Sequence, residues 1–109
     1  MFNIDEKPTF TRTVTVQVPK GEGHDAQTFK ASFNVLDDDE FDAITLGDAE
    51  KVKAMLRKMV CGMEDLANAV GEVVPFSEEI LELMLRKSYV RVALVRAYYS
   101  GAIEDRAGN

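Results

Sequence analysis

Two stretches near the start of the chain alternate apolar and polar residues with a period of two. In the first, Phe10, Val14, Val16 and Val18 fall on one side, and Thr9, Thr11, Thr13, Thr15 and Gln17 on the other. Arg12 is the single charge on the apolar side. In the second, Phe29, Ala31, Phe33 and Val35 alternate with Thr28, Lys30, Ser32 and Asn34. A period of two is the side-chain period of a strand; a helix would scatter these residues around its circumference. The polar segment from Pro19 to Asp25, with Gly21 and Gly23, reads as a long loop between them. The two stretches predict an antiparallel hairpin with one apolar face. A hairpin alone is marginal, so the rest of the chain must cover that face.

The cover is predicted to be helical. At Leu36-Asp37-Asp38-Asp39-Glu40-Phe41, Asp37 is placed as N-cap and Glu40 at N3, with Leu36 and Phe41 at hydrophobic-staple spacing. A calcium loop spreads its oxygen ligands through a longer, glycine-containing loop, whereas these acids are consecutive, so capping is the favoured reading. Gly47 is expected to end this helix and Asp48 to cap the next. Val52, Met55, Leu56, Met59 and Val60 make one helical face, with Glu50, Lys51, Lys53, Arg57 and Lys58 outside it. The methionines suit either a core or an adaptable contact surface, and Met55 and Met59 are candidates for the latter. The helix is expected to end at Gly62. Glu64 to Val70 reads as a short helical turn or a loop, followed by extended Glu72-Val73-Val74.

A joint follows at Val73-Val74-Pro75-Phe76-Ser77-Glu78-Glu79. Pro75 holds Val74 extended. Ser77 is a helix N-cap, and Glu78 and Glu79 put negative charge at the positive end of the helix dipole. Phe76 and Leu81 have staple spacing. Pro75, Phe76, Ser77 and Leu81 are therefore read as structural, and the two glutamates as dipole partners rather than catalytic acids. Glu82 and Arg86 are placed as an i, i+4 pair. Lys87-Ser88 is expected to break the helix, with Ser88 capping the last one. That last helix, Tyr89 to Ser100, carries two apolar stripes: Val90, Ala93, Leu94, Ala97 and Tyr98, and then Val92, Val95 and Tyr99. Tyr89-Val90-Arg91-Val92 has strand content, but the length and the Ala97-Tyr98-Tyr99 continuation favour helix. A helix apolar on two sides is either sandwiched in a core or half used for a partner. Gly101 is expected to end it.

Strands first and helices after predict an α+β fold: an N-terminal antiparallel β-hairpin or small sheet packed against a C-terminal set of about four helices. The 109 residues suit one domain, 1–109, with 1–8 and 102–109 mobile. A hydrophobic content of 46% is enough for a packed core. The net charge of −6 argues against a nucleic-acid surface. The first residues lack the features of a signal peptide, and no run reaches the roughly 20 apolar residues of a membrane span, so a cytosolic, soluble protein is expected. His24 sits in a glycine-rich loop without a partner. Cys61 has no neighbouring ligand and is expected to be a small buried thiol. Gly21-Glu22-Gly23 precedes a strand, whereas phosphate loops precede a helix. No catalytic set, cofactor site or metal site assembles, and a non-enzyme is expected.

The segment Val74-Pro75-Phe76-Ser77-Glu78-Glu79, then Leu81, Leu85, Tyr89-Val90 and Ala93 to Tyr98, resembles the tail assembly chaperones of long-tailed bacteriophages and prophages. The resemblance runs from about Phe10 to Tyr99. It departs at Gly62-Met63, where such proteins tend to carry Gly-Trp, and at the Asp105-Arg106-Ala107-Gly108-Asn109 tail, where they tend to be basic. The resemblance implies a non-catalytic protein of the bacterial host cytoplasm, absent from the mature virion. It implies binding of the apolar tape measure protein, which is kept soluble until the tail tube forms around it. It implies tail tube protein as a further partner, and the two-striped last helix leaves self-association open as well. Met55, Met59, Val92, Val95 and Tyr99 are the expected contact residues. The alternatives are a phage virion structural protein, such as a neck or tail-completion component, and a host-type protein-interaction domain.

Overall fold

The two alternating stretches pair as predicted, and the ladder is longer than the pattern suggests. In the computed structural model, which describes residues 1–42 and 47–102 (Phe41 and Asp42 by backbone only), β1 spans Thr9–Lys20 and β2 spans Gly23–Asn34. Phe10 stands opposite Phe33 and Val14 opposite Phe29. The ladder continues through Pro19 and His24 to Lys20 and Gly23. The expected long loop is therefore a two-residue turn, Gly21-Glu22. Gly21 has φ +60°, the left-handed backbone that hairpin turns place at a glycine. Pro19 is tolerated because β1 is an outer strand, where a missing N–H need not break a ladder. Val14, Val16, Phe29, Ala31 and Phe33 are buried, as their alternation requires. Val35 falls past the end of β2 and is exposed; its N–H donates to the Pro8 carbonyl at 3.1 Å. Residues 1–8 are exposed throughout.

Four helices and one further strand complete the described residues: α1 (Asp38–Asp42), α2 (Ala49–Met59), β3 (Val60–Glu64), α3 (Glu78–Leu85) and α4 (Ser88–Ala102). The fold is α+β with a three-stranded antiparallel sheet in the order β1-β2-β3. At α1, the Asp37 N–H donates to Glu40 Oε1 at 3.4 Å, the return arm of a capping box. The Leu36–Phe41 staple, the end of the helix before Gly47 and the tail after Ala102 lie outside the described residues. Asp48 caps α2, accepting from the Lys51 N–H at 3.2 Å.

The largest departure from the sequence reading is β3. Where a helix was expected to run to Gly62, α2 stops at Met59 and the chain enters the sheet at once. Ala31 faces Met63, Ser32 faces Gly62, and the register shifts so that Phe33 faces Val60. This pairing buries both Val60 and Met63. It leaves Cys61 exposed, so the expectation of a buried thiol is wrong. Asp65, with φ 66°, then turns the chain off the sheet. Residues 66–74 form neither helix nor open loop. The Val74 N–H donates to the Leu66 carbonyl and the Asn68 N–H to the Glu72 carbonyl, while Asn68 Oδ1 accepts from Val70 and Glu72 N–H at 3.1 and 3.0 Å.

The cap at the joint forms as its residue predicts. Ser77 is extended and accepts from the Ile80 N–H at 3.2 Å. Phe76 packs half-buried against the core and Leu81 is buried within it, while Pro75 stays exposed. The next break comes one residue earlier than expected. The Lys87 carbonyl accepts from the Arg91 N–H, so Ser88 is the first residue of α4 rather than its cap. Arg91 Nη1 also donates to the Leu85 carbonyl at 2.7 Å, satisfying an acceptor at the end of α3. Gly101 does not end α4. It lies inside the helix, where a Cβ would collide with the Phe10 ring, so its role is close approach of α4 to β1.

One core cluster draws on all three strands and on α2, α3 and α4. At one end the rings of Phe10, Phe33 and Tyr98 meet, and the buried Tyr98 hydroxyl accepts from the Leu36 N–H at 2.8 Å. Burial raises the Tyr98 phenol above its usual value of 10.0, with Asp38 and Glu40 adding to the rise. Replacing Tyr98 by Phe should cost about 1–3 kcal/mol in urea denaturation, because the half-buried Leu36 N–H loses its acceptor. The raised phenol favours the folded state fully below pH 10.0 and less as pH rises, since the unfolded tyrosine ionises first. Tyr98→Phe should therefore flatten the loss of stability above that pH.

Candidate functional site

Among the described residues, two apolar surfaces adjoin the closed core. The first is an open groove of about 440 Å³. Val16, Val18 and Phe29 form its floor on the hairpin, and Gln27 and Thr28 extend it along β2. Leu66 and Val74, brought together by the 66–74 turn, line one side; Ile80, Leu83 and Met84 of α3 line another. Leu83 is 47% exposed, although its neighbours Leu81 and Leu85 are inside. Asp65 and Lys87 are the charged residues of the wall.

The second surface is the outer side of α4. Val90, Ala93, Leu94, Ala97 and Tyr98 are buried, as the first stripe predicts. Val92, Val95 and Tyr99 follow at i, i+3 and i+7, roughly half a turn around the helix from that stripe. Val92 is 44% and Tyr99 46% exposed; Val95 is half-buried and packs against the core. Arg96 beside them is exposed.

The structure thus divides the five expected contact residues. Val92 and Tyr99 are at the surface, with Val95 at its margin. Met55, at 4% exposure, and Met59, at 0%, are inside. They lie on the α2 stripe that faces the sheet, so their reading as contact residues gives way to a core role. Met84 is half-buried in the groove wall and keeps some surface. Sequence reasoning missed the groove altogether, because its walls come from five segments between Val16 and Val90. Its one visible signal was Leu83, an extra apolar residue beside the Leu81–Leu85 stripe.

One charged pair beside α3 is held by a tertiary contact. Glu82 does not take Arg86 as its chief partner. Its carboxylate accepts from Arg57 Nε at 2.7 Å and Nη2 at 2.8 Å, a forked pair that clamps α2 to α3. The Arg57 hydrogen bond holds the Glu82 carboxyl below its usual range. That contribution is present above the ordinary carboxylate pKa and is lost as pH falls through the lowered one. Among the described residues, no three His, Cys, Asp or Glu side chains are grouped to hold a metal, and no helix is long and apolar enough to cross a membrane.

No family model, no curated protein and no solved structure matches the chain.

The two roles weighed for the methionines separate experimentally. Met59→Ala should lower stability by about 2–5 kcal/mol, the range for emptying a buried methionine site. Chemical denaturation of the isolated protein measures this; an unchanged midpoint would return Met59 to the surface.

Proposed function

We propose that this protein is a non-catalytic tail assembly chaperone of a long-tailed bacteriophage or prophage. In this reading it binds the tape measure protein in the host cytoplasm, keeps its apolar length soluble, and is absent from the finished virion. The observation that carries the reading is the outer stripe of α4. Val92 and Tyr99 are each about half exposed on a helix whose opposite side is buried in the core. A ridge at i, i+3 and i+7 is the form that a second helix packs against. A chain that exposes such a ridge needs protection from self-association, and a net charge of −6 supplies like-charge repulsion. The resemblance of the Val74–Glu79 joint and of the last helix supplies the class of partner. Tail tube protein is the second partner in this reading.

Co-expression with a tape measure protein encoded nearby, followed by pull-down, is the direct test. Val92→Ser with Tyr99→Ala should abolish capture while shifting the melting temperature little, because both side chains are about half in water. Val95 is left intact because it touches the core. Unimpaired capture by the double variant would remove α4 from the contact. Stoichiometric amounts of the protein in purified particles would instead support a virion structural component.

A further inference from the structure

β2 is paired with β1 along its whole length but with β3 only from Lys30 to Phe33. β3 stops at Glu64 because Asp65 turns the chain away. Among the described residues, no strand continues the line of β3 beside residues 23–29, and no backbone hydrogen bond outside the ladder reaches them. Residues 24–28 are exposed. Strand residues direct their N–H and C=O groups alternately to either side, so this half of β2 holds a row of donors and acceptors in water. Exposed edges are commonly blunted by lysine, proline or a bulge. Gly23-His24-Asp25-Ala26-Gln27-Thr28-Phe29 contains neither lysine nor proline, and the bulge lies further on, between Ser32 and Phe33.

The apolar groove opens at the same place, with Gln27, Thr28 and Phe29 on its hairpin side and Ile80 and Leu83 facing them on α3. We infer that this open half of β2 is a strand-addition site for an extended segment of a partner protein, apolar at alternate positions and basic between them. A strand laid beside residues 23–29 spans about 23 Å and turns every second side chain into the groove, which is how strand-adding sites combine backbone bonding with side-chain choice. The charge around the site selects the intervening residues. Asp65 in the groove wall, Asp25 on the open strand itself, and Glu64, Glu72 and Glu79 on the adjoining segments are exposed, against Lys87 in the wall and Lys30 and Arg86 beside it. The site is separate from the outer stripe of α4, so neither the chaperone reading nor this one stands or falls with the other.

The probe is a synthetic heptapeptide alternating valine and lysine, titrated into the full chain and followed by calorimetry and amide exchange. Bound peptide should slow exchange at amides within residues 23–29. Two N-methylated forms, each blocking alternate amides, should differ: one binds roughly tenfold or more weaker and the other like the parent, because only one set of N–H groups faces β2. Leu83→Lys should weaken binding to a similar extent, and replacing the peptide's lysines by glutamate should abolish it. Equal binding of both N-methylated forms and the parent would overturn the inference. So would unchanged exchange at 23–29 under saturating peptide, or a dimer already closed through this edge without peptide. The two N-methylated peptides decide the matter even if Leu83→Lys perturbs folding.

Discussion

The contact on which the rest of this fold depends is the meeting of Phe10, Phe33 and Tyr98. Ring centroids lie 5.3 Å apart for Phe10–Phe33 and 5.7 Å for each ring to Tyr98, with Phe33 and Tyr98 edge to face. Such pairs contribute about 0.5–1.5 kcal/mol each beyond the area they bury. Their positional effect is larger. They join the first strand, the end of the second and the last helix, and the Tyr98–Leu36 bond spans 62 residues of chain. Gly101 lets α4 approach Phe10 closely enough for this contact to form. Once Tyr98 is seated, the rotation of α4 about its axis is fixed. Val92 and Tyr99 then turn away from the core as a matter of helical geometry, with Val95 at the margin.

Signals confined to one element were legible in the sequence. The alternation from Phe10 to Phe33 fixes strand, face and pairing, because a slip of one residue would put Val14 and Phe29 in water. Ser77 and Asp48 cap their helices through bonds that reach only three residues ahead. The burial of Val90, Ala93, Leu94, Ala97 and Tyr98 follows from a period of 3.6. The hairpin turn was misjudged because Pro19 and two glycines usually mark a loop. On an outer strand Pro19 need cost no ladder bond, and Gly21 supplies the one unusual φ that a tight turn requires.

Signals that depend on a distant partner were not legible. Val60-Cys61-Gly62-Met63 continues a helical stripe, contains a glycine and is too short to declare a strand. It becomes β3 because β2 offers a bonded edge there and because the pairing buries Val60 and Met63. Glu82 had a local partner in Arg86 at the favoured spacing. A forked bond to Arg57 on another helix displaces it, since two aligned N–H groups from one guanidinium outweigh a single exposed pair. Met55 and Met59 fitted a core and a contact surface equally well by period, and only the position of α2 against the sheet assigns them. The groove belongs to the same class, for its walls come from segments far apart in sequence.

The edges of the sheet connect these points to binding. β1, the outer strand on one side, has α4 running alongside it, with Thr13, Thr15 and Gln17 facing Ala93, Arg96, Ala97 and Ser100 across a shallow cleft. β3, the outer strand on the other side, is five residues long and bulged against β2, both common ways of discouraging a stranger from pairing. The far half of β2 has neither device. The core does not need that half open, just as it does not need Val92 and Tyr99 to be apolar. Lysine or glutamate at Val92 would keep the helix and add solubility. In a chain with 19 acidic and 13 basic residues, charge is plentiful elsewhere on the surface. An apolar ridge, and an unpaired strand edge whose one charge is Asp25, both carry a cost in solubility in such a chain. Folding does not repay that cost, whereas the partners proposed above would.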